Sequence, residues 1–159
     1  MSTFQIHNTM KSILSAISFF FLLQMAVSAQ TTATWMGGTP GRSQDWNCPT
    51  NWKEGRVPDE FSQVIIPADR HAYPVIKTAV EDIDALRVDG GSMLIVESKG
   101  VITILGETGR LNGVSILGTV QNEGVIRYEG LGNASAQISG NISGHGTMLD
   151  LSSLTADKD

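Results

Sequence analysis

The sequence has 159 residues, with 11 Lys and Arg against 16 Asp and Glu, a formal net charge of −5, and one cysteine. That length holds one domain. The acidic balance, without any block of basic residues, argues against a protein that grips nucleic acid or anionic lipid by neutralising phosphates. A lone Cys excludes a disulfide framework.

The first segment reads as an export signal and not as fold. Lys11 precedes an apolar run from Ile13 to Val27, and Val27-Ser28-Ala29 places small residues where signal peptidase cuts, so cleavage is expected after Ala29. The run is interrupted by Ser15, Ser18 and Gln24 and is shorter than the roughly 20 residues that span a bilayer. Removing residues 1–29, which hold Lys11 and no acid, leaves 130 residues with a formal charge of −6 and no further segment apolar enough to cross a membrane. The expected location is therefore secreted or at the cell surface.

The mature chain divides into two zones. All three Trp lie between Trp35 and Trp52 and all five Pro between Pro40 and Pro74, whereas 13 of the 17 Gly lie between Gly90 and Gly146. Proline removes a ladder donor and is kept out of sheet interiors, so the proline-free stretch after Pro74 is open to continuous strand pairing.

Short aliphatic runs recur along it: Val64-Ile65-Ile66, Pro74-Val75-Ile76, Leu86-Arg87-Val88, Met93-Leu94-Ile95-Val96, Val101-Ile102-Thr103-Ile104, Val114-Ser115-Ile116, Val125-Ile126-Arg127-Tyr128, Ile138-Ser139-Gly140-Asn141-Ile142 and Met148-Leu149-Asp150-Leu151. They predict strands of three to five residues. Between several of them sit Asp89-Gly90-Gly91, Ser98-Lys99-Gly100, Gly109-Arg110-Leu111-Asn112-Gly113, Asn122-Glu123-Gly124 and Ser143-Gly144-His145-Gly146. Gly and Asn there suit tight corners. Thr78–Leu86 comes nearest to a helical stripe and predicts one turn of helix at most.

The corners repeat. Gly100-Val101-Ile102, Gly113-Val114-Ser115-Ile116 and Gly124-Val125-Ile126 share a frame offset by 13 and then 11 residues, with an echo at Gly146-Thr147-Met148-Leu149. Strand plus corner at regular spacing predicts a solenoid whose units bury their apolar faces by stacking. The expected fold is all-β, a short right-handed parallel β-helix, with an antiparallel β-sandwich as the alternative. A cap over residues 30–62 would close the first coil, repeats would fill residues 63–151, and residues 152–159 would form a polar tail. Trp35, Trp46, Trp52 and Pro58 are the expected cap residues, since each indole can bury roughly 150–250 Å².

The order Trp35, Asp45-Trp46-Asn47, Asn51-Trp52, Gly55-Arg56-Val57-Pro58, Val64-Ile65-Ile66-Pro67, Tyr73-Pro74-Val75-Ile76, Leu86-Arg87-Val88 and the Gly-Val strands resembles a module of large secreted surface proteins of the Bacteroidota kind. It is similar to the N-terminal units of β-helical adhesins over about residues 33–150. The resemblance implies a structural module and brings no catalytic residues. Such proteins continue into further repeats and a C-terminal sorting domain, whereas Leu151 is succeeded in this chain by Ser152–Asp159. A truncated fragment of a larger adhesin, open to end-to-end self-association, is accordingly one expectation.

Individual chemical candidates are thin. Cys48 with His71 or His145 has no spacing that fixes a thiol nucleophile, and the two His lack a third ligand for zinc. Glu81, Asp82 and Asp84 carry no glycine-spaced calcium loop and read as solvated turn residues. Asn133-Ala134-Ser135 and Asn141-Ile142-Ser143 match the glycosylation sequon, which a bacterial exporter would seldom use. Arg87, Glu97, Arg127 and Asp150 stand singly on or beside strands, without the paired acids that sugar-cleaving enzymes use. No cofactor, metal or enzyme activity is expected. The expected function is a non-catalytic structural or adhesive module of the cell surface or matrix, its partners extracellular polysaccharide or other surface proteins. The alternative is a carbohydrate-binding module in which exposed Trp46, Trp52 and Tyr128 stack on sugar rings.

Overall fold

A computed structural model describes residues 31–107, 113–131 and 136–151. The signal segment, the tail at 152–159, most of the corner at 109–113 and the sequon at Asn133 lie outside the described residues. Among the described residues, twelve short strands and one turn of 3-10 helix at Pro49–Asn51 make up the regular structure: β1 (Thr31–Thr34), β2 (Ser62–Ile66), β3 (Val75–Ile76), β4 (Ala85–Val88), β5 (Met93–Val96), β6 (Val101–Ile104), β7 (Val114–Ile116), β8 (Thr119–Asn122), β9 (Val125–Tyr128), β10 (Ala136–Ile138), β11 (Asn141–Ser143) and β12 (Thr147–Asp150).

From β4 onward each turn of chain contributes one strand to each of three sheets, and the earlier turns contribute fewer. The first sheet runs β1-β2-β4-β7-β10, the second β3-β5-β8-β11 and the third β6-β9-β12. Every pairing between these strands is parallel. The result is a β-solenoid of about four turns. A sandwich of antiparallel hairpins is thereby excluded, because parallel neighbours cannot be joined by tight turns and need a crossover; here the crossover is the rest of the coil.

Stacking places like residues above one another. Val64, Leu86 and Val114 form one inward column, and Ile66, Val88 and Ile116 the next. Leu94 sits over Val120, and Ile102 over Ile126. All of these are buried in one continuous core. A fully buried aliphatic side chain contributes about 1.5–3 kcal/mol, so the columns are the main stabilising term.

The observed period differs from the sequence frame. Val101 pairs with Val125 and Val125 with Thr147, steps of 24 and 22 residues within the third sheet. Val114 belongs to the first sheet. The 13- and 11-residue offsets therefore joined corners of different sheets, two steps making one coil. Gly100, Gly124 and Gly146 do share a column: a Cβ on Gly124 would fall on the carbonyl oxygens of Gly100 and Glu97, and one on Gly146 would lie 2.6 Å from the Gly124 oxygen. Gly113 has another reason, a φ of +68° and contact with the Tyr128 ring.

Other details also depart from expectation. Thr78–Leu86 contains no helix. Ala79 and Ile83 bridge in parallel to Val101 and Ile104, and the N–H groups of Val80 and Ile83 donate to the carbonyls of Val101 and Thr103, so the segment is a further extended rung of the third face. The run Ile138–Ile142 is two strands, broken at Gly140, whose Cβ would strike the Gly118 carbonyl. β1 and β8 carry few aliphatic residues and gave no strand signal, yet β1 pairs along its whole length with β2, so the first rung begins before the cap.

Candidate functional site

After β1 the chain leaves the coil and makes a compact loop before returning at β2. Trp35 leads it, donating its backbone N–H to the Ile65 carbonyl and its indole N–H to the Ala72 carbonyl at 2.8 Å. Asn51 organises the remainder. Its backbone carbonyl accepts from the N–H groups of Met36 and Gly37, its side-chain oxygen accepts from Thr39 N–H at 3.0 Å, and its amide donates to the carbonyls of Arg42 at 2.6 Å and Asp45 at 3.0 Å. Asn51 is fully buried, and a buried amide is stabilising only when satisfied in this way.

The three indoles lie beneath this loop. Trp52 meets Trp35 and Trp46 edge to face, with centroids 5.0 and 4.9 Å apart, the geometry aromatic quadrupoles favour. The Trp52 N–H donates to the Trp46 carbonyl at 2.8 Å, whereas the Trp46 N–H is buried without a partner. Pro58 is buried as well. The residues expected to cap the coil are thus interior at its leading end.

The same burial overturns the sugar-stacking assignment. Trp46, Trp52 and Tyr128 are each only 1% exposed, so none offers a ring face to a pyranose. The indoles cover the core's leading end, and Tyr128 fills the column in register with Ile104 beneath Gly106 and Gly113. Burial raises the Tyr128 pKa above its ordinary value, with Asp150 adding to the effect.

Beside the loop lies a half-open notch of about 520 Å³, lined by Arg42, Gln44, Asp45, Asn47, Val75 and Lys77 with neighbouring backbone. It exists because Asp45 bridges in parallel to Val75, with the Val75 N–H on the Gln44 carbonyl, after which the chain turns inward and does not continue the coil. Arg42 donates through Nε and Nη2 to Asp45 Oδ2 at 2.9 and 2.6 Å. That contact raises the guanidinium pKa. The Asn47 N–H bonds to Asp45 Oδ1 at 2.9 Å, fixing the carboxylate from its other side. Lys77 supplies a second cation at the rim. A wall of amides, the hydroxyl residues Ser43 and Thr78, one ion pair and an extra ammonium can hold a small polar or anionic group.

The remaining candidates are dispersed. Cys48 is buried and shares a hydrogen bond with the Thr50 hydroxyl at 3.2 Å; that bond lowers the thiol pKa against the opposing effect of burial. His145 faces Glu123 at 3.5 Å on the last corner, and His71 lies in the loop before β3. Glu81 and Asp82 are exposed, while Asp84 is buried and accepts the Glu107 N–H at 3.0 Å. Among the described residues no group of three or more His, Cys, Asp or Glu is gathered to hold a metal ion, and no helix is long and apolar enough to cross a membrane.

Sequence reasoning missed Arg42, Gln44 and Lys77, because only the Asp45–Val75 bridge brings residues so far apart in sequence to one wall. Asn51 carries one local signal, its place before Trp52, which does not show the partners it gathers from residues 36–45. No known family matches the sequence, and no curated protein or solved structure matches it either.

Proposed function

We propose that the protein is an exported, non-catalytic structural or adhesive module of the bacterial cell surface or extracellular matrix. The observation that carries this reading is where its chemistry-bearing residues are used. The indoles, the buried Tyr128 and the buried Asn51 brace the coil, and the outward strand positions form regular rungs. Rows of this kind suit repeated, low-chemistry contacts with a neighbouring macromolecule. Export is supported by the signal-like segment before Gln30, and the adhesive role by the resemblance of the Trp and Gly-Val pattern to surface modules.

The test is to express the full chain in a bacterial host and determine both its N-terminus and its location. Mass spectrometry is expected to find a chain starting at Gln30, outside the cytoplasm and accessible to added protease on whole cells. An intact Met1 terminus in the cytoplasm would overturn the reading.

The notch favours a second reading, capture of a small acidic saccharide, with Lys77 meeting a carboxylate and Gln44, Asp45 and Asn47 bonding hydroxyls. Titration with a uronic acid disaccharide and its neutral counterpart decides it. Binding of the acidic sugar that is weakened by Lys77→Gln supports capture. Equal indifference to both sugars removes it.

A further inference from the structure

The notch sits at the leading edge of the second sheet, whose end strand is β3. The carbonyls of Pro74 and Ile76 accept the N–H groups of Ile95 and Glu97, in the coil behind, at 3.1 and 2.9 Å. In a trans peptide the N–H points opposite to its carbonyl, so the N–H groups of Val75 and Lys77 face forward, toward the notch. Val75 finds the Gln44 carbonyl there at 2.8 Å. Beyond Asp45 the chain turns inward through the buried Trp46, and the Lys77 N–H has no partner among the described residues.

The charges on the same wall are unequal. Both oxygens of the Asp45 carboxylate are engaged, Oδ2 by Arg42 and Oδ1 by the Asn47 N–H. Lys77 is exposed and belongs to no ion pair among the described residues. One uncompensated positive charge therefore stands beside one free backbone donor. A single carboxylate matches both, through charge-assisted hydrogen bonds.

From Val75 in the notch, the outer face of the second sheet runs back along the coil. Ile95 is in register with Val75, Gln121 with Ile95, and Thr119 with Met93. The alternate residues Leu94, Val96 and Val120 are fully buried, so Met93, Ile95, Thr119 and Gln121 point outward. At ordinary strand spacing β5 and β8 lie roughly 5 and 10 Å beyond β3. This face is apolar on its first rung and carries a hydroxyl and an amide on the next, with no charged group. The corners that end these two rungs expose Glu97, Lys99 and Glu123, two acids to one base.

We propose that the notch and this face together bind a linear oligosaccharide whose one acidic unit is terminal, seated against Lys77, and whose remaining units are neutral. Met93 and Ile95 pack against the apolar face of a sugar ring, and Thr119 and Gln121 bond hydroxyls of the unit after it. A chain of uronic acids is disfavoured, because each further carboxylate would lose solvation against a face that offers no cation. The inference deepens the saccharide reading of the notch and rests on it.

Calorimetric titration of the full chain with three probes tests the proposal: a disaccharide with one terminal uronic acid, a tetrasaccharide of the same terminal acid and three neutral hexoses, and a tetrasaccharide of four uronic acids. The singly acidic tetrasaccharide is expected to bind at least about fivefold more tightly than the disaccharide, and the fully acidic one no more tightly than the disaccharide. Gln121→Ala, at an exposed outward position, is expected to abolish the advantage of length and leave the disaccharide unaffected, whereas Lys77→Gln weakens both singly acidic probes. Circular dichroism checks that each variant keeps the fold. Equal affinity for the two singly acidic probes overturns this inference while the notch reading stands. Tightest binding of the fully acidic chain, or a length advantage indifferent to Gln121→Ala, also overturns it. Binding of none of the probes removes the notch reading together with it.

Discussion

Trp35 and Trp52 form an antiparallel bridge in a molecule whose named strands all pair in parallel, and their indoles meet edge to face across it at an interplanar angle of 81°. The bridge reverses the chain at the leading end and places Trp35 one step beyond the Thr34–Ile65 pair, at the head of the Ile66 column. Trp35→Ala or Trp52→Ala is expected to cost about 3–5 kcal/mol in urea denaturation, the range for an aromatic core truncation. Trp52→Phe also loses the bond to the Trp46 carbonyl, whereas Trp46→Phe removes an N–H that has no partner, so the first should cost about 1 kcal/mol more than the second. Iodide is expected to leave the emission of the folded protein nearly unquenched; strong quenching would contradict the burial of all three rings.

Asn51 holds the loop through its carbonyl and N–H partners, while the Arg42–Asp45 pair lies in solvent. Asn51→Ala is expected to lose about 1–3 kcal/mol, because the Thr39 N–H loses its acceptor and the carbonyls of Arg42 and Asp45 each lose one of two donors. Arg42→Ala should change stability by less than about 0.5 kcal/mol, as exposed ion pairs generally do. Thermal melts of the two variants side by side check the ordering.

Gly124 and Gly90 separate steric need from mere turn preference. A Cβ on Gly124 meets carbonyl oxygens of two earlier residues, whereas the nearest atom to one on Gly90 is 4.0 Å away. Gly124→Ala is expected to cost about 1–3 kcal/mol through overpacking. Gly90→Ala should stay within about 0.5 kcal/mol of wild type. Equal effects at both sites would mean that the glycine column does not set the coil spacing.

Tyr128 makes stability sensitive to alkali. Its folded pKa is raised above the ordinary value of 10.0, so the folded chain retains the phenol proton after the unfolded chain has released it. The contribution is complete below pH 10 and is lost as pH rises toward the folded value. Tyr128→Phe is expected to be less stable at neutral pH yet to show a shallower decline above pH 10. Denaturant midpoints taken at intervals from about pH 8 to about pH 11.5, a span bracketing the ordinary tyrosine value, check the slope.

Aliphatic runs such as Val101–Ile104 and Val125–Tyr128 declared their strands because both lie in the core-lining columns, and the proline-free stretch declared continuous pairing. β8 did not, since Asn122 takes the inward place that Val96 holds one coil earlier; its amide is satisfied by the Gly124 N–H and the Thr147 carbonyl, a partnership between coils that no local pattern reveals. The true period was obscured for a similar reason: Gly113 looks like Gly100 and Gly124 in sequence but answers to the Tyr128 ring. The notch was illegible because it is made by an interruption of the winding, and the pairing of Asp45 with Val75 arises from tertiary register.

Between β4 and β7 the step from Leu86 to Val114 is 28 residues, against 22 from Val64 to Leu86, yet the columns remain aligned. Registration is set where rungs touch, so surplus chain is shed at the corner after β6 without cost to its neighbours. That corner is a natural graft point. Foreign peptide inserted there should leave the stacked framework in place, and lineages could lengthen or shorten the segment likewise.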